Sequence, residues 1–403
     1  MKILLVNKFH WIKGGSEKYY FELGEMLKNN GHEVAYLSMK DERNIKTGDK
    51  EYFVPKFDLN TSSKTKALKV IYSKENKKIM EKALNEFQPD IVHINNFQRQ
   101  LSASIISPIK KRNIPIVFTA HDVQAICPAI TMMDNDKNIC ELCMKGKYRN
   151  CIKKRCNKGS RLKSILGAVE GYYYRIKKIY KEKIDYIITP SNFYREKLIE
   201  DGINPNKIEA IHNPISIDNY NVNTSDEGYA LYFGRLSKEK GILNLLEAFS
   251  ELEEGLLYIA GEGPEKETIE KMIQQKHLEN RVKLLGFLNQ TDMAEYIRKC
   301  KFVVVPSIWY ENCPYSILET LAIGKPVIGA NIGGIPELIS DNENGFIYNN
   351  VLELKEKMNL LFQDKNLVKR FSEKSKEFAL NKYSKEIYYE KLYRIYRNLQ
   401  KGK

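Results

Sequence analysis

The chain has no apolar run long enough to cross a membrane. None of the apolar stretches in its 403 residues approaches the roughly 18 residues that a transmembrane helix needs. The first of them, residues 3–6, ends at Asn7 and Lys8. It is therefore interpreted as a first β-strand and not as the core of a secretory signal. We predict a cytoplasmic location on these grounds.

The chain has fewer acidic residues than basic ones. The 65 lysines and arginines outnumber the 51 acidic residues, so the net charge is +14 and an anionic partner is expected. The basic residues are densest at 64–82 and 145–183, and the second stretch also carries several tyrosines. Basic and aromatic side chains interleaved on helices suit the surface of an anionic membrane. A solvated basic face is the alternative.

Histidines are few and show no metal-ligand spacing, so we expect no catalytic zinc. Cysteines, in contrast, are concentrated: five of the seven lie between Cys127 and Cys156. Four of them have the spacing of a structural zinc site, namely Cys140, Cys143, Cys151 and Cys156. Four free thiols in a loop are the alternative, and disulfides are less expected in a reducing compartment.

Short apolar runs alternate with amphipathic stretches through both halves of the chain, which predicts an α/β protein with two doubly wound halves. In the first half the predicted strands are 2–6, 33–38, 90–94, 114–120, 185–189 and 208–211. In the second half they are 229–233, 256–260, 282–285, 302–305 and 326–329.

A polar, Asn-rich segment at 215–227 indicates the linker between the halves. We therefore predict an N-terminal Rossmann-like domain at 1–215, with a Cys-rich insert at about 127–160. A second Rossmann-like domain follows at 216–383, and a helix at 384–403 is expected to return to the first domain. Ligands of such folds bind at the carboxyl ends of the strands, so we expect a cleft between the domains.

Two cations follow the first strand of the second half. Arg235 and Lys240 stand between that strand and a helix that begins near Gly241. A helix N-terminus and two cations together favour a diphosphate, although solvated loop residues would look the same in isolation. The turn at 261–264 follows the next strand, and its glycines let backbone approach a ligand closely.

Two glutamates eight residues apart follow the fourth strand. Glu311 falls in a loop, and Glu319 lies about one turn into a helix that begins near Tyr315. Carboxylates in these places can bind the vicinal hydroxyls of a sugar or ribose. The alternative is that Glu319 is a solvated helix residue and Glu311 a turn residue, without a ligand. The glycine loop at 333–337 then enters another helix, where backbone amides can meet an anion.

These motifs, with Gly14-Gly15 in the first loop and His121-Asp122 at a strand end, resemble glycosyltransferase family 4. The resemblance covers nearly the whole chain in the right order. It implies a GT-B fold and transfer of a sugar from a nucleotide-sugar with retained anomeric configuration. The catalytic residues that it implies are His121, Arg235, Lys240 and Glu311. The donor-binding residues that it implies are Gly15, Gly234, Gly263, Leu288, Tyr315, Ser316 and Glu319.

The resemblance also implies a role for each residue. Arg235 and Lys240 would neutralise the departing diphosphate, so the transfer step would need no metal. Glu319 would hold the ribose, and Glu311 would hold hydroxyls of the donor sugar. Backbone at 284–288, ending at Leu288, would contact the base. From the first domain, His121 would lie over the reacting sugar, and Gly15 would let the first loop approach the phosphates or the acceptor.

The chain departs from the family pattern at 312–314. Asn312-Cys313-Pro314 stands where Gly-Phe-Gly usually follows the first glutamate. Proline has no N–H to offer a ligand, so Tyr315 and Ser316 must supply the amides at the helix start. The fold assignment is unaffected, but the identity of the sugar stays open.

The resemblance thus predicts a hexosyl-type transferase that uses a UDP- or GDP-sugar and a glycan or lipid-linked acceptor, in building an envelope polysaccharide. Peripheral contact with an anionic membrane at the inner face of the plasma membrane is expected. One alternative is a GT-B sugar-nucleotide epimerase. A silent nucleotide-sugar-binding protein and a nucleic-acid-binding protein are others, although no nucleic-acid-binding module is present and we expect no such partner.

Overall fold

The computed structural model describes residues 1–58, 68–216 and 226–402. The central part of the predicted linker, 217–225, and the start of the basic stretch at 64–67 lie outside the described residues. The chain divides into two compact units. The first comprises Met1–His212 and the chain from Tyr388 onwards, and the second comprises Asn213–Ile387.

The first unit is built on a seven-stranded parallel sheet with strand order β3-β2-β1-β4-β5-β6-β7. Its strands are β1 Lys2–Asn7, β2 Glu33–Met39, β3 Lys50–Val54, β4 Ile91–Asn96, β5 Ile116–Thr119, β6 Tyr186–Thr189 and β7 Ile208–Ala210. Its described helices before the second unit are α1 Gly15–Asn29, α2 Lys74–Phe87, α3 Ile106–Lys111, α4 Arg149–Lys153, α5 Arg161–Ile176 and α6 Asn192–Glu200. Shorter 3₁₀ turns lie at Leu68–Val70, Ala103–Ile105, Met144–Gly146 and Pro205–Lys207, with a π turn at Ile179–Lys183.

The second unit repeats this plan with six parallel strands in the order β10-β9-β8-β11-β12-β13. They are β8 Tyr229–Phe233, β9 Leu256–Ala260, β10 Val282–Gly286, β11 Phe302–Val305, β12 Val327–Ala330 and β13 Gly345–Tyr348. The helices are α7 Ile242–Ser250, α8 Lys266–Gln275, α9 Gln290–Lys299, α10 Tyr315–Ile323, α11 Ile335–Leu338, α12 Val351–Gln363 and α13 Lys365–Tyr383, with a 3₁₀ turn at Lys238–Lys240.

Strand β8 shows why such sequences form central strands. Its residues alternate between two hydrophobic cores: Tyr229 and Leu231 belong to one, and Ala230 and Tyr232 to the other. Successive side chains of a strand point to opposite faces, so a continuous apolar run is needed where helices cover both faces of the sheet. The predicted strands agree with the observed ones to within about two residues at either end.

Two strands were not predicted from the sequence, β3 and β13. β3 reads Lys-Glu-Tyr-Phe-Val and lies at the edge of its sheet, where one side needs no partner and charge is tolerated. β13 contains only four residues and is also an edge strand. Short edge strands carry too weak an apolar signal to stand out in a sequence.

The last helix, α14 Lys385–Lys401, packs against the first unit from Tyr388 onwards. Its tyrosines reach polar partners there. The hydroxyl of Tyr388 is hydrogen-bonded to that of Tyr19, and the hydroxyl of Tyr396 lies 2.5 Å from Nδ1 of the buried His93. Buried tyrosines combine a large apolar ring with a polar end, which is why this Tyr-rich helix can be buried with its hydroxyls satisfied.

The Cys-rich insert lies between β5 and β6. Cys143 and Cys151 are buried, whereas Cys140 and Cys156 are half-buried, and all are free. Among the residues that the structure describes, no group of three or more His, Cys, Asp or Glu side chains is arranged to hold a metal ion. The zinc site at Cys140, Cys143, Cys151 and Cys156 stays a prediction from the sequence spacing.

The thiols of the insert differ in their environments. A hydrogen bond from Cys151 to Cys156 raises the pKa of Cys151 and lowers that of Cys156, so these two sulfurs serve as partners for each other. Burial raises the pKa of Cys143 to about 12. A buried thiol such as that of Cys143 packs as a small hydrophobic side chain.

Protonation of buried histidines gives a first prediction, since burial lowers the pKa of His93 to about 3. Its contribution to stability is complete above the ordinary pKa of about 6.5 and is lost as the pH falls towards 3, because the unfolded chain binds the proton more tightly. We expect the free energy of unfolding to fall by roughly 2 kcal/mol between about pH 7 and about pH 5 because of His93. Urea titration at the two pH values measures this change.

The matched variant is His93→Gln, which should reduce this pH dependence by the amount that His93 contributes. Burial also lowers the pKa of His121 to about 3, so part of the pH dependence should remain in the variant. Carboxylates with a lowered pKa, such as Glu51, lose their contribution only below about pH 4.5, so they do not affect the chosen window. An equal pH dependence in the variant would show that His93 is not the group responsible.

Candidate active site

The candidate site of the second unit lies where the strand order reverses, between β8 and β11. Connections from the two strands run in opposite directions here and leave a crevice at their carboxyl ends, where α/β sheets bind ligands. Gly234 and Arg235 directly follow β8, and the loop that contains Ser307 and Glu311 follows β11. The topology therefore brings both sets of predicted residues to one edge of the sheet.

Lys240 and Glu311 form the central contact. The Nζ atom of Lys240 donates a hydrogen bond of 2.6 Å to Oε1 of Glu311. The same carboxylate oxygen accepts a hydrogen bond of 2.8 Å from the hydroxyl of Ser307. Residues that are 71 positions apart in the chain are thus joined in one polar cluster.

Glu311 is a buried carboxylate that is nevertheless held in its ionised form. Burial by itself raises its pKa, but the Lys240 ammonium and its hydrogen bond, together with the Ser307 hydroxyl, outweigh burial and lower it. An ionised carboxylate accepts hydrogen bonds and does not donate them, so Glu311 is suited to bind hydroxyl groups of a sugar.

Trp309 was not predicted as a site residue. The Lys240 ammonium lies 5.5 Å from the centroid of its ring, within the range of a cation–π interaction. Ser307 was also missed. The signal available in the sequence was their position on either side of Ile308 in the loop that carries Glu311, in a chain with only two tryptophans.

Arg235 differs from Lys240 in having an exposed side chain. Within residues 1–58, 68–216 and 226–402, its guanidinium makes no ion pair or hydrogen bond, although its backbone carbonyl accepts hydrogen bonds from Tyr232 and Ser237. Its backbone is therefore fixed while its charge is uncompensated. An arginine in this state is available to a phosphate group.

Glycines allow the loops of this edge to pack against one another. A Cβ atom on Gly241, which has a φ of +69°, would lie 1.9 Å from the carbonyl oxygen of Pro306. A Cβ atom on Gly263 would lie 2.1 Å from the carbonyl oxygen of Leu236. Gly263 is thus required by contact between two loops of the protein, independently of the approach to a ligand expected from the sequence. Gly234 begins the loop after β8, and its amide donates to the carbonyl of Ala260 at 3.0 Å.

Helix α10 begins at Tyr315, as predicted, with Pro314 as the preceding residue. The amides of Tyr315 and Ser316 belong to the first turn, where a helix has no internal acceptors and favours negative charge. Glu319 lies one turn further on and is half-buried. The helix runs back over the sheet through buried residues such as Ile317 and Leu321, which fixes the position of its N-terminus.

Leu288 lies in the loop between β10 and α9, at the same edge of the sheet. Its neighbour Phe287 is the more exposed of the two side chains, and it was not predicted. An exposed aromatic ring at this place is a surface on which a base ring can stack.

Two site residues predicted from the sequence belong to the first unit. Gly15 is exposed and begins α1 directly after the loop that follows β1. His121 follows β5, and its Nε2 donates a hydrogen bond of 3.0 Å to Oδ1 of Asn95 at the end of β4. Burial, with a contribution from Lys8, lowers the pKa of His121 to about 3, so the ring is neutral near pH 7.

Solved structures with the same fold cover almost the whole chain. Sucrose-phosphate synthase from Thermosynechococcus elongatus superposes with a TM-score of 0.75 at 17% identity, over 100% of both chains. HepE of Anabaena, in complex with UDP, gives a TM-score of 0.73 at 17% identity, over 99% of this chain and 100% of that one. The two units therefore have the Rossmann-like architecture of the GT-B fold.

Family models give the same result from the sequence. The model described as Glycosyltransferase Family 4 matches residues 13–219, and the one described as Glycosyl transferases group 1 matches residues 216–378. The first of these alone spans more than half of the 403 residues. The chain belongs to glycosyltransferase family 4, as its motifs predicted.

Curated relatives are similar either over part of this chain or over most of it at lower sequence identity. An uncharacterized glycosyltransferase of Methanocaldococcus jannaschii is 31% identical over 48% of this chain and 54% of its own length. An uncharacterized protein of the cps region of Klebsiella pneumoniae is 25% identical over 84% and 87%. Alpha-monoglucosyldiacylglycerol synthase of Acholeplasma laidlawii is 23% identical over 78% and 77%. This chain spans only about half the length of several curated relatives that it matches, the Methanocaldococcus jannaschii protein among them.

The Lys240–Glu311 contact gives a second prediction. Lys240→Met should lower the free energy of unfolding by roughly 2–3 kcal/mol, because removing one partner of a buried pair leaves the other charge uncompensated. Lys240→Met combined with Glu311→Gln should be less destabilised than the sum of the single variants, as measured by urea unfolding.

Lys238→Met is the matched control, since Lys238 is exposed in the same 3₁₀ turn. A substitution there should change stability by less than about 0.5 kcal/mol. Strict additivity of the Lys240 and Glu311 variants would contradict an energetic coupling between the two side chains.

Proposed function

We propose that this protein is a retaining glycosyltransferase that moves a hexosyl group from a nucleotide-sugar to a glycan or lipid-linked acceptor. The observation that carries the proposal is the polar cluster at the β8–β11 edge. In it Lys240 is held against a buried, ionised Glu311, and the uncompensated Arg235 lies at the same edge of the sheet. The cations would bind the anionic part of a ligand, and the carboxylate would bind its hydroxyl groups.

The charges of the cluster support the chemistry. Cleavage of the bond between the anomeric carbon and the diphosphate leaves negative charge on the phosphate oxygens and positive charge on the sugar ring. Arg235, Lys240 and the N-terminus of α10 are positioned on the protein before reaction, so they can stabilise the departing diphosphate without a metal ion. Glu311 would hold sugar hydroxyls, and Glu319 would hold the ribose.

Retention of configuration is proposed from family membership. The acceptor oxygen would form its bond to the anomeric carbon on the face that the diphosphate leaves, and the acceptor's proton would pass to a departing phosphate oxygen. This exchange balances without a nucleophilic carboxylate of the kind that retaining hydrolases use. From the first unit, neutral His121 would contact the reacting sugar without adding positive charge beside the developing oxocarbenium, and Gly15 would let the first loop approach.

The donor is proposed to be a UDP-sugar, with a GDP-sugar as the other candidate. The HepE structures contain UDP and UDP-glucose, which makes UDP the first nucleotide to test. The base would meet backbone near Leu288, where the exposed ring of Phe287 could stack on it.

The acceptor is proposed to belong to an envelope polysaccharide or glycolipid, at the inner face of the plasma membrane. Relatives over most of the chain include a cps-region protein and a glucosyldiacylglycerol synthase. No helix among the described residues combines the length and apolar character needed to span a bilayer.

Two alternative functions would require different partners. An epimerase of the same fold would act on the sugar nucleotide and need no acceptor, and a nucleic-acid-binding protein would use the net positive charge. The relatives with named activities are transferases, which gives neither alternative support.

Calorimetric titration with UDP, GDP and ADP tests the proposal. We expect one nucleotide to bind, and Arg235→Ala to weaken its binding by about tenfold or more, because charge-assisted hydrogen bonds to phosphate are worth at least 1.4 kcal/mol. Arg235 has an exposed side chain, so this substitution should leave the unfolding midpoint unchanged and separate binding from folding.

Lys238→Ala serves as the control, because it removes an exposed cation three residues further along the same loop. It should bind the nucleotide as the intact protein does. Failure of all three nucleotides to bind, or equal weakening by the two substitutions, would contradict a specific diphosphate site at Arg235.

A further inference from the structure

Helix α5 of the insert has two apolar faces, and one of them is firmly packed. Gly167 and Gly171 allow close approach, since a Cβ atom on Gly167 would lie 2.7 Å from Nδ2 of Asn157 and one on Gly171 would lie 2.9 Å from the ring of Tyr148. On the same side, buried Glu170 accepts hydrogen bonds from the Tyr174 hydroxyl at 2.9 Å and from the Arg99 amide at 3.0 Å. This face fixes the helix on the first unit.

The opposite face carries large apolar side chains that the described residues leave uncovered. Leu162 is 72% exposed, Ile165 37%, Val169 43% and Ile176 75%. Their spacing of three, four and seven residues places them in one stripe along the helix. At 1.5 Å per residue the stripe is about 21 Å long. Single exposed apolar residues are ordinary, but a continuous stripe of this length indicates an interaction surface.

Cations surround the stripe. Arg161 and Lys163 are exposed in the first turn of α5, and Lys177 and Lys178 are exposed directly after its last residue. Residues 145–183 as a whole contain fourteen lysines and arginines and two glutamates, so this segment carries +12 of the chain's net charge of +14. The apolar stripe thus lies within the most basic part of the protein.

We propose that α5 docks this protein on an anionic lipid surface, with the stripe of Leu162, Ile165, Val169 and Ile176 inserted at the level of the headgroups. A helix with one apolar stripe and flanking cations lies in the plane of such an interface. The cations would meet anionic headgroups, which attract basic segments near a membrane. A second copy of this chain is a poorer occupant, because two segments of charge +12 would face each other.

This inference rests on the proposed function in one respect: membrane docking would bring the enzyme to a lipid-linked acceptor. Docking itself requires only the stripe and the cations. The nucleotide titration at Arg235 therefore tests the proposed function separately, since Arg235 belongs to the second unit and α5 to the first.

The test is co-sedimentation of the full chain with vesicles of phosphatidylcholine, with and without an equal share of phosphatidylglycerol. We expect binding to the anionic vesicles at about 0.1 M salt and its marked loss at about 1 M salt, where the Debye length falls to about 3 Å. Substitution of Leu162→Ser, Val169→Ser and Ile176→Ser together should weaken binding by about tenfold or more, since interfacial affinity scales with buried apolar area.

The matched control carries Leu352→Ser, Leu360→Ser and Leu380→Ser, which remove three exposed leucines from helices of the second unit. It should bind vesicles as the intact chain does, and both triple variants should retain nucleotide affinity and the unfolding midpoint. Absence of binding to anionic vesicles at low salt would overturn the proposal. So would undiminished binding by the α5 variant, or a dimer in sedimentation analysis that this variant abolishes.

Discussion

A parallel sheet places the carboxyl ends of all its strands at one edge, and the candidate site depends on this constraint. In the second unit, β8 and β11 are neighbours although Phe302 follows Tyr229 by more than 70 residues. The loops that follow these two strands are therefore adjacent. Lys240 donates a hydrogen bond of 2.6 Å to the carboxylate of Glu311. Side chains from distant parts of the chain thus form one site without a long structured loop.

The polar cluster combines two opposing requirements. A buried carboxylate costs free energy unless it is paired, and Lys240 with Ser307 provides that pairing for Glu311. A phosphate site, in contrast, needs positive charge that the protein itself does not neutralise. Arg235 supplies it with an exposed guanidinium on a fixed backbone, whereas the charge of Lys240 is shared with Glu311.

The first unit carries its distinguishing features in the insert between β5 and β6. Burial raises the pKa of its Cys143 to about 12, and its helix α5 is fixed by one face only. The spacing of four cysteines predicts a zinc site there, but spacing alone does not report where the sulfur atoms point. The sequence likewise indicated basic, tyrosine-bearing helices at 145–183 but not that an apolar stripe, beginning at Leu162, faces outward.

The sequence by itself determined the succession of strands apart from the edge strands β3 and β13, since apolar runs such as 229–233 and the glycine that follows this run are local signals. It also determined the family, because Arg235, Lys240, Glu311 and Glu319 occur in the expected order. Only the tertiary structure decided that Lys240 pairs with Glu311, that Gly263 is required by the Leu236 carbonyl, and which face of α5 is covered. These are contacts between residues far apart in the chain, and they exist only once the sheets have brought the loops together.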